Sequence, residues 1–125
     1  MKVLVLLLAG VCAPMPAESC ESLVNDRLNL KKWGLSYCIN EHMQGEYIKS
    51  QAGMALGGYL QLGGHDLEVP YRKVRAFFDH GMKKVGVAKE SGEPLPFMRC
   101  LNLYESQEYQ ELIVSQDRYT NWTSP

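Results

Sequence analysis

The sequence predicts an all-α fold, a compact bundle of four to five helices with a disulfide, and three observations carry that prediction. Apolar residues recur at steps of three and four along most of the chain, the spacing of helices that bury one face. No alternating apolar and polar run is long enough to make a useful strand. Two cysteines, Cys38 and Cys100, stand on helical stripes that point toward a shared core.

The first residues are set apart from the fold. Met1 and Lys2 precede an almost wholly apolar run over residues 3–11, followed by Ala13-Pro14-Met15-Pro16-Ala17-Glu18-Ser19, the charged, greasy and small-residue order of a secretory signal. Residues 1–17 are therefore expected to be a cleaved signal peptide, with Ser19 nearly as good a cut site as Ala17. The apolar core is too short for a bilayer of about 30 Å, and no later segment comes close, so no membrane insertion is expected. A lipoprotein reading at Cys12 is the weaker one, because Val11 occupies the position where such signals want a small residue.

The first helix is expected over residues 28–42, where Leu30, Trp33 and Tyr37 share a stripe without an interrupting proline. In the second, Ile48, Ala52, Ala55, Tyr59 and Leu62 follow at steps of four, three, four and three. That segment also holds Gly53, Gly57 and Gly58, each costing up to about 1 kcal/mol of helix propensity while letting a neighbouring helix approach. Gly63-Gly64-His65-Asp66 breaks the pattern, and Pro70 suits the first turn of a third helix. Its stripe is Val74, Phe77, Phe78, Gly81, Met82 and Val85, and Lys83 and Lys84 sit where the macrodipole favours positive charge.

Residues 86–96 hold two glycines, two prolines and three charges, the composition of an exposed loop. Pro96 opens a fourth helix, with Phe97, Cys100, Leu101 and Tyr104 as its expected buried stripe. Ser106 is placed to cap a short fifth helix over residues 107–116 carrying Leu112 and Ile113. The helical domain thus spans residues 20–116, and residues 117–125 read as a polar tail.

Several functions are disfavoured by what the chain contains. The formal net charge of −1 is unlike the basic stripe of a nucleic-acid binder, so no nucleic-acid partner is expected. His42, His65 and His80 are the only histidines, and no local motif joins them to a nucleophile and an orienting group. Enzymatic activity is not expected. Without a CxxC pair or a histidine at finger spacing from a cysteine, neither a metal site nor a cofactor is expected.

Export places the cysteines in a compartment that favours disulfides. Cys20, Cys38 and Cys100 survive processing, and three is odd, so one is left over. Antiparallel or crossed helices bring Cys38 and Cys100 within bonding distance, and the predicted bridge would stabilise the fold by about 4 kcal/mol in the chain-entropy model. The alternative is two buried thiols that never pair. The aromatic stripe of Phe77, Phe78, Phe97 and Tyr104 reads as core, or as the lining of a small helical carrier of an apolar ligand.

The run Leu95-Pro96-Phe97-Met98-Arg99-Cys100-Leu101-Asn102-Leu103-Tyr104-Glu105-Ser106 resembles the signature of the type VI secretion amidase-immunity proteins, which neutralise the fourth class of cell-wall amidase effectors. Its core is an aromatic followed by Cys-Leu-x-Leu-Tyr-x-Ser. A helix bearing Cys38 and the small-residue helix over residues 51–62 are similar to that family as well. The resemblance implies a homodimer of helical subunits in the periplasm. It also implies a cognate partner, a peptidoglycan amidase of the papain-like cysteine-peptidase type whose active-site cleft is blocked. For the contact surface, Lys89, Glu90, Ser91, Gly92 and Glu93 in the loop over residues 86–94 are the first choice, and His65, Asp66 and Glu68 in the turn over residues 63–71 the second. An ordinary solvated connection is the competing reading for both.

Overall fold

The computed structural model describes residue 12 and residues 15–122. Most of the expected signal peptide, residues 1–11, 13 and 14, lies outside the described residues, as do residues 123–125 of the expected tail. Five α-helices make up the described fold: α1 Ala17–His42, α2 Glu46–Leu62, α3 Val69–Gly81, α4 Pro96–Glu105 and α5 Gln107–Ser115. Short 3-10 turns, Met82–Lys84 and Gln116–Tyr119, extend α3 and α5.

Helix α1 is the spine, packing against all four other helices. It starts well before the residue 28 expected from its apolar stripe. Asp26 and Arg27 interrupt the apolar pattern there, yet Leu23 and Arg27 are both buried. The guanidinium of Arg27 donates from Nε to both carboxylate oxygens of Asp117 at 3.0 and 3.2 Å. A buried charge is tolerated when it is paired and hydrogen-bonded, so this ion pair lets the helix run on through a polar stretch.

The core gathers Leu30, Trp33, Cys38, Tyr71, Val74, Phe78, Met82, Cys100, Leu103, Tyr109 and Ile113. Tyr109 of α5 is completely buried, and its hydroxyl donates to the Lys31 carbonyl of α1 at 2.8 Å. Its ring meets Phe78 edge-on and stacks on Phe77. Gly34 makes this approach possible, since a Cβ there would lie 2.0 Å from the Tyr109 hydroxyl oxygen and 2.6 Å from Val74.

Cys38 and Cys100 form the predicted disulfide, with Cα atoms 5.9 Å apart across a sequence separation of 62. Cys20, expected to be left over, is bonded to Cys12, and no described cysteine is free. Cys12 lies in the segment expected to be removed.

Two stripes differ from expectation. Ala52 is the one fully buried residue of α2, with Leu56 and Tyr59 partly buried against the core, whereas Leu62 is exposed. The helix leans on α1 along one edge and turns Gly53, Gly57 and Gly58 to solvent. In α4 the inward residues are Cys100 and Leu103. The disulfide and the seat of Leu103 beneath Gly81 fix the rotation of this helix. Phe97 and Leu101, expected inside, are consequently left on the outer side.

Residues 116–120, expected to lead into a polar tail, are folded back onto the bundle. Gln116 and Thr120 are buried, and the Asp66 amide donates to the Tyr119 carbonyl at 2.9 Å.

Candidate functional site

The loop between α3 and α4 is an ordered hairpin. Val87 and Pro94 form an antiparallel bridge, the Leu95 amide donates to the Gly86 carbonyl at 2.9 Å, and the Ala88 amide donates to the Glu93 carbonyl at 2.8 Å. At the tip the Gly92 amide donates back to the Ala88 carbonyl at 2.8 Å. Gly92 has φ of 73°, a left-handed conformation that glycine adopts without the steric cost a Cβ brings. Ser91 Oγ accepts from the Glu93 amide at 3.2 Å. Lys89, Glu90, Ser91, Gly92 and Glu93 are all exposed, so each expected contact residue in this stretch is presented to solvent on a defined backbone.

The base of the hairpin is rigid for reasons that can be named. Arg99 Nε donates to the Gly81 carbonyl at 2.9 Å, tying the start of α4 to the end of α3. One residue on, Cys100 is bonded to α1, and Met82 is buried beside it. Both arms of the hairpin therefore leave from anchored helix ends. A shallow groove between its base and α4 is lined by Lys84, Gly86, Leu95, Met98, Arg99 and Asn102.

The turn over residues 63–71 is built differently. His65, expected as a contact residue there, is buried, and neither ring nitrogen has a hydrogen-bond partner. Burial pushes its pKa below the usual 6.5, Arg27 adds to that effect, and Asp26 and Asp117 oppose it. Asp66 and Glu68 are exposed, and an Asp66 side-chain oxygen accepts from the Glu68 amide at 3.1 Å. The C-terminal segment closes over the far side of this turn, where Trp122 Nε1 donates to Asp26 Oδ2 at 2.7 Å.

The two stretches are not one surface. The turn precedes the first residue of α3 and the hairpin follows its last, and the 13 residues of that helix correspond to about 20 Å of rise. Lys89 to Glu93 and Asp66 with Glu68 thus stand at opposite ends of α3.

Among the remaining histidines, His42 Nε2 lies 3.5 Å from Asp79 Oδ1. The Tyr37 hydroxyl donates to both oxygens of the same carboxylate at 2.9 Å. Burial first, and then this hydrogen bond and the charge of Asp79, push the Tyr37 pKa up to about 12, so the phenol stays protonated and ties α1 to α3. Among the described residues no group of three or more His, Cys, Asp or Glu side chains is placed to hold a metal ion, and no helix is long and apolar enough to cross a membrane.

Sequence reasoning missed the apolar shoulder beside the hairpin. Val87, Leu95, Phe97, Met98 and Leu101 are all at least about one-third exposed. The helical period of α4 was legible, but its phase was set by which of several apolar residues faces Cys38, and that depends on the tertiary contact.

No curated protein matches the chain. Residues 28–113, covering α1 from its midpoint through the hairpin to most of α5, match the family of type VI secretion system amidase immunity proteins. The match includes both core cysteines and every expected contact residue. With more than half of its length covered in this way, the chain belongs to the type VI secretion system amidase immunity proteins.

Proposed function

We propose that this chain is a periplasmic immunity protein that binds a type VI secreted peptidoglycan amidase and occludes its active-site cleft through the hairpin over residues 86–95. The observation that carries this reading is the hairpin itself, an exposed and hydrogen-bonded projection mounted on a disulfide-anchored base. Such preorganisation lowers the ordering cost of binding. Lys89, Glu90 and Glu93 give the tip a charge pattern suited to steering and partner choice. Asp66 and Glu68, at the other end of α3, form a contact separate from the hairpin tip, and His65 is buried within the turn.

Blocking a cleft requires no catalytic group in the inhibitor, and the protein acts in this reading as a binding partner. The signal-like start supports export to the periplasm, with the cut between residues 17 and 19. Of the aromatic residues that suggested a carrier, Phe77, Phe78 and Tyr104 pack around Tyr109, while Phe97 is exposed.

A homodimer fits the outer face of α2. Gly57 and Gly58 have nothing within 4 Å of the position of a Cβ, so their helix-propensity cost of about 1 kcal/mol each finds no return inside the subunit. Residues 50–64 carry no charge, and Tyr47 and Met54 are exposed on the same helix. Close crossing of two α2 helices would use both features.

The test is peptidoglycan digestion by purified papain-like amidases of the type VI class, with and without the exported chain. Near-stoichiometric inhibition that disappears when residues 89–93 are replaced by a glycine-serine linker supports the reading. Unimpeded digestion by every amidase of the class overturns it.

A further inference from the structure

Resting on the hairpin reading above, we infer that the apolar shoulder formed by Val87, Leu95, Phe97, Met98 and Leu101 docks against an apolar rim of the same amidase's cleft and supplies most of the affinity, while the charged tip sets association rate and partner choice. The shoulder is local and continuous. Val87 and Leu95 stand on the two arms of the hairpin, and Leu95 and Met98 line one groove. Phe97 and Leu101 are one turn apart on α4, with Met98 beside them. Their exposures are 59% for Val87, 36% for Leu95, 46% for Phe97, 56% for Met98 and 37% for Leu101. Scattered exposed apolar residues are ordinary, but a cluster of this kind on one side of a small domain marks a surface that something covers.

Three considerations select the amidase as the occupant. The shoulder is continuous with the hairpin, so a protein that receives the tip into a cleft must bring its rim down on Val87, Leu95 and the first turn of α4. The backbone beneath is already ordered by the Val87–Pro94 bridge, the Arg99 to Gly81 hydrogen bond and the Cys38–Cys100 disulfide, so contact costs little conformational freedom. Affinity in protein interfaces concentrates in a few large, desolvated apolar anchors ringed by polar residues. Lys84, Lys89, Glu90, Glu93, Asn102 and Glu105, all exposed around the cluster, provide such a ring. A second copy of the chain is the less fitting occupant, because the uncharged, glycine-bearing face of α2 is a separate surface better shaped for a helix pair.

The experiment compares three forms of the exported chain against an amidase that the wild type inhibits: Phe97→Ser with Met98→Ser, Glu90→Gln with Glu93→Gln, and the glycine-serine replacement of residues 89–93. Binding kinetics are followed at low and high salt, with circular dichroism and sedimentation on each form. The expected result is a fall in affinity of at least 30-fold for the serine pair, residing in the dissociation rate and insensitive to salt, with unchanged helicity and self-association. The glutamine pair should lose less than 10-fold, mainly in a salt-dependent association rate. If the serine pair binds like wild type while the loop replacement abolishes binding, the inference is overturned and the hairpin reading stands. If neither variant changes binding, both fall. A serine pair that dissociates into monomers with its amidase affinity intact shows the shoulder to be covered by a second copy and overturns the inference as well.

Discussion

At the scale of single residues, Gly34 and His65 are both buried, and each burial has a measurable consequence. Replacing Gly34 by alanine drives a methyl group into Tyr109, Val74 and Phe78, all within 2.7 Å of its position. Overpacking a filled core costs about 1–3 kcal/mol, so Gly34→Ala is expected to lower the thermal midpoint by several degrees in a calorimetric scan. His65 predicts a pH dependence. It folds as a neutral imidazole with its pKa pushed below 6.5, so at intermediate pH the unfolded chain binds the extra proton. Its contribution is complete above that ordinary value and drains away as pH falls through the lowered folded one. Urea unfolding at pH 7.5 and pH 5 should show a loss of stability on acidification that is smaller in His65→Gln. The neighbouring Asp26 and Asp117 favour the proton and Arg27 disfavours it, so an Asp26→Asn exchange, removing one of the two carboxylates, should enlarge the loss.

At the scale of elements, the disulfide joins the C-terminal part of α1 to the middle of α4 and thereby fixes both the core and the hairpin base. The double change Cys38→Ala with Cys100→Ala is expected to reduce the unfolding free energy by about 4 kcal/mol, measured by denaturant titration. Faster amide exchange at Val87, Ala88 and Leu95 should accompany it. This bridge was legible from sequence because both cysteines lie in phase with strong helical stripes, and the same holds for the existence of α2, α3 and α5 and for the Ser106 cap, whose Oγ accepts from the Tyr109 amide at 3.2 Å. Other features were hidden. The early start of α1 depends on a partner for Arg27 that lies 90 residues away, and no local pattern announces it. Tyr109 reads as one more polar-tipped residue until Gly34 is seen to make room for it. Lys89 to Glu93 were recognisable as an exposed loop by composition alone, but the hairpin bonds and the apolar shoulder arise only when α4 is locked in rotation.

For the whole molecule, the separation of surfaces matters most. The hairpin and its shoulder follow the end of α3, the His65 turn against which the C-terminal segment folds precedes its start, and the glycine face of α2 lies outside α1. Each is anchored independently to the spine, so changes on one are expected to leave the others intact. In the proposed α2-paired dimer, Gly57→Leu should break self-association, seen as monomers in sedimentation, without altering the helical signal of the subunit. Salt should slow association with the amidase, since rim charges act chiefly on the encounter, while leaving the oligomeric state unchanged because the α2 face is uncharged.

The long-range disulfide also gives folding a clock. A chain held in a reducing compartment lacks a contribution comparable to much of a small domain's net stability. Before oxidation the helices are free to loosen, which would suit the export proposed for this chain. Once the thiols meet an oxidant the bond closes and ties α4, and with it the base of the hairpin, to α1. The same covalent link thus separates two lives of one sequence, a pliant passenger before oxidation and a stiff guard after it.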